Sequence, residues 1–156
     1  MKIYRFLKKG DIYFDLPLET KEDILCCVAT AFVKNGSATD EDSVLAGLRE
    51  REEVMSTGIG MGIAIPHTAC PAIGSASMVV LRLVKPVEYG SVDGRPVDLV
   101  LAMVCPEKRT GLHLRMLAAM ARLCRTPEFA EFARSTRNPE EFLGAMRSLE
   151  ESMAFH

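Results

Sequence analysis

The chain has 156 residues, 48% of them hydrophobic and 26% charged, with a formal net charge of -2 at pH 7. That length suffices for one core held without disulfides or a metal, and the charge balance provides no overall positive field to draw in a phosphate backbone, which argues against nucleic-acid binding. The five cysteines, at 26, 27, 70, 105 and 124, are odd in number and mostly in apolar surroundings, so a reducing cytoplasm is expected rather than a secreted disulfide framework.

The opening stretch MKIYRFLKKGDIYFDL is basic but lacks the longer apolar core and small-residue cleavage site of a signal peptide. Thr20 is expected to cap a helix reaching about Lys34, because TKED has the hydroxyl-x-x-acid spacing and Gly36 supplies a stop. Ile24, Val28, Ala31 and Phe32 form its apolar stripe. Asp40 is expected to cap a second helix, with Val44, Leu45 and Leu48 facing inward and the charged run REREE near its end. The segment STGIGMG then reads as a loop of flexible dihedrals feeding a short strand at Ile63 to Ile65.

Strands follow at about Met78 to Val84 and Val97 to Cys105, separated by a turn containing VDGRP. The second is almost continuously apolar, which predicts burial on both faces and a sheet covered by helices. Both carry a charge (Arg82, Asp98) and are far too short to span a bilayer, so a membrane-embedded chain is not expected. A helix is predicted from about Thr110 to Arg125, with Arg115 and Arg122 marking its solvent side. TPEF and NPEE each join a capping residue to a proline and an acid, so two more helices should begin at Pro127 and Pro139. No linker or repeat divides the chain, which reads as one α/β domain over residues 1–156.

The segment GIAIPH ends its apolar run on a proline and a histidine. Pro66 fixes its own φ, biases Ile65 towards an extended backbone and has no amide to continue a ladder, so His67 is expected on a stiff stem at a strand end. Such a ring suits a general base, a metal ligand or a nucleophile towards phosphorus. His67 with Cys70 is an isolated H-x-x-C pair, and neither His113 nor Cys105 completes a zinc spacing, so no metal is expected. The glycines lack the Gly-Lys-Ser/Thr ending of a P-loop, and no G-x-S-x-G nucleophile elbow occurs. His156 is terminal and expected to be solvated, and Met116 and Met120 fit core packing.

The stretches REREEVMSTGIGMGIAIPH and VDGRPVDLVLAMVCPEKRTGLHLRMLAAMARL resemble the type-2 IIA domains of the bacterial phosphoenolpyruvate-dependent phosphotransferase system, the fructose/mannitol and nitrogen-regulatory group. The resemblance extends over nearly the whole chain, since TKEDIL, DEDSVLAGLRERE and NPEEFL fall in the family's order. It implies a mixed β-sheet sandwiched between α-helices. It also implies that His67 takes a phosphoryl group from a histidine-containing phosphocarrier protein and passes it to a IIB domain, or that its phosphorylation governs binding to regulatory target proteins, without a cofactor. Arg51 matches the family's arginine and His113 its second histidine, both expected beside the phosphorylated ring. The chain departs from the family's usual small residue at Thr68.

The residues themselves permit these roles. An arginine fork stays protonated and can grip two phosphoryl oxygens, although on the residues alone Arg51 reads as one more solvated charge in REREE, and it is the resemblance that assigns it to the phosphate. His113 falls in line with Leu117, Met120 and Cys124, hence inward near a helix beginning, where either an anion contact or a satisfied core histidine fits. Ser56 and Thr57 offer hydroxyl or amide donors for a phosphate, or loop caps.

Overall fold

Two long strands, β5 (Ser77–Val87) and β6 (Val97–Pro106), pair antiparallel at the centre of a six-stranded mixed sheet in a computed structural model that describes residues 1–153. On one side β1 (Ile12–Leu16) lies parallel to β5. On the other, β6 carries β3 (Ile63–Ala64) and β4 (His67–Cys70) in parallel, and β2 (Gly58–Gly60) closes that edge antiparallel to β3. His156 lies outside the described residues.

The alternation along β6 explains the layers. Leu99, Leu101, Met103 and Cys105 face α3 (Thr110–Cys124), α4 (Pro127–Ser135) and α5 (Pro139–Met153), while Val100, Ala102 and Val104 face α1 (Lys21–Lys34) and α2 (Glu41–Val54). Every one of those seven side chains is wholly buried, so the strand is apolar from Leu99 to Cys105 because helices cover both sides. Fully burying a Val or Leu side chain is worth about 1.5–3 kcal/mol, which makes this double coverage the main source of the core's stability.

Local chemistry sets the helix ends. Thr20 Oγ1 accepts from the Asp23 N–H at 3.0 Å and Asp23 Oδ2 from the Thr20 N–H at 3.2 Å, the expected capping box. Asp40 Oδ1 accepts from the Asp42 N–H at 3.2 Å, and Asn138 Oδ1 from the Glu141 N–H at 2.8 Å. Thr126 instead turns its hydroxyl back to the Arg122 carbonyl at 3.1 Å, so α4 starts on Pro127 without a side-chain cap.

The structure departs from the sequence reading in three places. IYFDL forms β1, its register broken by a bulge at which Asp15 takes φ +56°. STGIGMG is not merely a loop: Gly58 to Gly60 is strand β2, and Met61 and Gly62, with φ +60° and +78°, make the two-residue turn into β3. The third departure is that the strand expected to stop at His67 resumes there as β4.

Candidate active site around His67

Ile63 pairs with Leu99, Ala64 with Val100, His67 with Met103 and Cys70 with Pro106, so β3 and β4 are one strand in one register, interrupted only at Ile65 and Pro66. Pro66 still accepts from the Met103 N–H at 3.1 Å but has no N–H to return, and that missing donor is the break. Ile65 faces the opposite edge. Its N–H donates to the Thr57 carbonyl at 2.9 Å, and its own carbonyl oxygen lies 2.7 Å from Nδ1 of His67.

A carbonyl can only accept, so Nδ1 carries the ring proton and Nε2 keeps its lone pair. The His67 residue is 6% exposed, and burial lowers the pKa of the ring below its ordinary 6.5. The nearby Arg51 and His113 add to the lowering, against the carbonyl bond and Glu52. The ring is therefore neutral at neutral pH, the form with a nucleophilic nitrogen.

Because His67 shares its face with Met103, it points towards α3, where His113 stands in the second turn. The two ring centroids are 5.6 Å apart with planes at 60°. Nδ1 of His113 is buried without a hydrogen-bond partner, and burial lowers the pKa of this ring too. A buried N–H without an acceptor costs about 1–3 kcal/mol, so the neutral ring keeps its proton on Nε2. Arg51, in the last turn of α2, donates from Nη1 to the Met55 carbonyl at 2.8 Å. That bond caps the helix and occupies one N–H of its fork.

Ser56 and Thr57 have their hydroxyls engaged. Ser56 Oγ accepts from the Gly58 N–H at 3.1 Å and donates to the Tyr89 carbonyl at 3.4 Å. Thr57 donates its N–H to Glu52 Oε2 at 2.9 Å and its hydroxyl to Glu52 Oε1. Sequence reasoning missed Glu52 because REREE looks like a solvated face. Its side chain is nonetheless only 6% exposed, with the Tyr89 hydroxyl donating to Oε1 at 2.7 Å and Lys21 Nζ 3.1 Å from Oε2. Burial, followed by the Glu52 charge, raises the pKa of Tyr89 and keeps its phenol protonated as a donor.

Thr68 points the other way, towards α2. A Cβ placed on Gly47 would lie 2.3 Å from Thr68 Oγ1, so the mid-helix glycine is the notch into which this side chain fits. Among the described residues no group of three or more His, Cys, Asp or Glu side chains is arranged to hold a metal ion.

The family model for the phosphoenolpyruvate-dependent sugar phosphotransferase system, EIIA 2, matches residues 5–148. The chain belongs to that family. A nitrogen regulatory protein from Pseudomonas aeruginosa is 30% identical over 140 residues, 90% of this chain and 91% of that one. One from Bradyrhizobium diazoefficiens is 37% identical over 101 residues, so that the match spans 65% of this chain and 66% of its relative. The fructose-specific EIIABC component of Bacillus subtilis is 32% identical over 123 residues, which are 79% of this EIIA chain but 19% of that longer protein.

Among solved structures, the nitrogen regulatory protein IIA-Ntr of Neisseria meningitidis superposes with a TM-score of 0.86 at 27% identity, covering 92% of this chain and 98% of that one. The Escherichia coli complex of enzyme IIA and phosphorylated enzyme IIB for mannitol matches at TM-score 0.76 and 18% identity, covering 91% and 97%, a likeness of fold. The mixed sheet between helical layers is thus the EIIA type-2 fold. No helix among the described residues is long and apolar enough to cross a membrane.

Proposed function

We propose that this EIIA chain is a phosphoryl carrier of the phosphotransferase system, acting in the cytoplasm, with His67 as the residue that is phosphorylated. The observation that carries this reading is the 2.7 Å bond between Nδ1 and the Ile65 carbonyl in a ring that burial keeps neutral, which leaves Nε2 with a free lone pair. In the transfer, Nε2 attacks the phosphorus held on a histidine-containing phosphocarrier protein. An N–P bond forms to His67, the donor's N–P bond breaks, and its electron pair returns to the donor ring. No proton has to leave His67. The substituted ring becomes cationic, its Nδ1–H still held by Ile65, which keeps it a good leaving group for the next transfer.

Arg51 supplies charge at this point, and its unengaged N–H groups suit two phosphoryl oxygens. Nε2–H of His113 is a further donor from the facing helix. Ser56 and Thr57, their hydroxyls engaged, act as the frame of the site rather than as phosphate donors. The surroundings suit a protein partner: exposed Val54 and Met55 follow Arg51, and exposed Leu114 follows His113.

Two outlets fit one carrier. A IIB domain is the acceptor in the transport reading, supported by the solved mannitol complex with which this chain shares its fold. The regulatory reading is favoured by the Pseudomonas relative, a nitrogen regulatory protein matched along nine-tenths of both chains. There a roughly doubly negative group on His67 alters which target proteins dock. Intact-mass measurement after incubation with phosphoenolpyruvate, the general phosphotransferase enzyme and its phosphocarrier should show one acid-labile phosphoryl group on the natural chain and none on His67→Ala. No adduct with donors proven active would refute the carrier reading.

A further inference from the structure

We propose that Glu52 is a positioning residue for His67: by taking the Thr57 N–H out of the sheet, its carboxylate reserves the Ile65 carbonyl for the His67 ring and so fixes which ring nitrogen is free. This deepens the carrier reading and rests on it.

The register shows why the carboxylate is needed. Gly58 lies opposite Ala64 in the β2–β3 pair, so Thr57 lies opposite Ile65. In an antiparallel pair of this kind the two residues exchange both hydrogen bonds, each N–H meeting the other's carbonyl. Here only one of the two is made: the Ile65 N–H donates to the Thr57 carbonyl at 2.9 Å. The return donor, the Thr57 N–H, goes to Glu52 at 2.9 Å instead. The Ile65 carbonyl, which that N–H would otherwise have met, accepts from His67 Nδ1 at 2.7 Å. One diverted amide thus converts an ordinary ladder carbonyl into the group that sets the tautomer of the reactive ring.

Glu52 is itself held for the task. The Thr57 and Tyr89 hydroxyls donate to Oε1, Lys21 Nζ lies 3.1 Å from Oε2, and Lys21 also sits 4.5 Å above the Tyr89 ring. Burying a carboxylate is costly unless every lone pair is occupied, and these donors occupy them. Arg51, the preceding residue, ties the same turn to α2 through the Met55 carbonyl. The last turn of α2 therefore presents one residue to the transferring group and the next to the backbone that aims the ring.

The test uses the full chain in its unphosphorylated state. Long-range proton–nitrogen correlation spectra of the histidine rings, recorded above the ring's pKa, report the tautomer of His67. The rate of phosphoryl acceptance from the phosphocarrier is measured in parallel. The natural chain should show the Nδ1–H form. Glu52→Ala should give a mixture with the Nε2–H form and lower the rate on the order of tenfold to a hundredfold, as misplacing a reacting atom does. Glu52→Gln, whose amide oxygen still accepts from the Thr57 N–H, should keep the tautomer and stay within about threefold of the natural rate. Glu52→Asp keeps the charge but withdraws it by a methylene, and should behave like the alanine variant. A folded Glu52→Ala with the natural tautomer and rate would overturn the proposal. If circular dichroism shows that the alanine variant does not fold, Glu52→Asp decides in its place, and natural behaviour there would overturn it. Should the natural chain itself accept no phosphoryl group, the carrier reading fails, while the ring spectra still judge the positioning role.

Discussion

Replacing Gly47 by alanine should destabilise the chain, although alanine is the better helix former. In an ordinary helix interior the change gains about 1 kcal/mol. Here the new Cβ would fall 2.3 Å from Thr68 Oγ1, 3.2 Å from its Cβ and 3.3 Å from its Cγ2. Thr68 is buried and branched at Cβ, so it has no free rotamer to retreat into, and the strain must be met by moving α2 or β4. Overpacking of this kind costs about 1–3 kcal/mol, and the 2.3 Å approach places this site at the upper end of that range, which leaves a net loss of up to about 2 kcal/mol. For a chain of this size that is a fall in melting midpoint of about 2–4 °C for each kcal/mol. In a Thr68→Ala background the 2.3 Å clash is gone and the nearest atom is the Cβ at 3.2 Å, so Gly47→Ala should then be neutral or stabilising by up to about 1 kcal/mol. Urea unfolding of the four proteins in the cycle measures both numbers. Because Thr68 follows His67 directly in β4, the single variant should also accept a phosphoryl group more slowly than the double variant. Equal effects of Gly47→Ala in the two backgrounds would refute the notch.

Four other outcomes are expected. Burial, aided by Arg51 and His113, lowers His67 below 6.5, so phosphoryl acceptance should rise as pH climbs through that lowered value, with its half-point below 6.5; a half-point at or above 6.5 in the rate profile would contradict this. The same lowering in His67 and His113 means that the unfolded chain takes up their protons first, so the stability these two rings contribute is full above 6.5 and is lost as pH falls through their folded values, which urea midpoints at stepped pH will show. Arg51→Lys keeps a charge but not the planar fork, and should slow acceptance by about tenfold or more while changing unfolding free energy by less than about 1 kcal/mol, since its bond to Met55 is exposed. Glu150→Ala strips the acceptor from the Ile3 and Tyr4 N–H groups, at 2.8 and 2.7 Å, and should cost about 1–3 kcal/mol in thermal unfolding with no change in phosphoryl acceptance.

What could be read in the sequence had a strong local cause. The Thr20 capping box, the prolines that open α4 and α5, and the doubly buried run of β6 declare themselves within a few residues. β1 did not, because five residues with a bulge at Asp15 carry no clean alternation. β2 was masked by its glycines, whose purpose depends on residues far along the chain: Gly58 leaves room for Ser91, whose Oγ would lie 2.3 Å from an added Cβ, and no local pattern announces that contact.

The candidate site divides along the same line. His67 was visible because proline and histidine together are conspicuous, and His113 because the helical period turned it inward. Glu52 was invisible because a buried carboxylate and a solvated one are the same letter, and only the fold distinguishes them. Lys21 from α1, Tyr89 from the segment after β5 and Thr57 from the approach to β2 converge on it across 68 residues of sequence separation at the widest. The reason the strand pauses at Pro66 is also tertiary. Pro66 forfeits one ladder donor towards β6, and Glu52 removes another between Thr57 and Ile65. At roughly 0.5–1.5 kcal/mol net for each such bond, the two omissions are a small loss beside the buried faces of β6. In their place the Ile65 carbonyl is directed at one nitrogen of His67, and the other nitrogen keeps its lone pair.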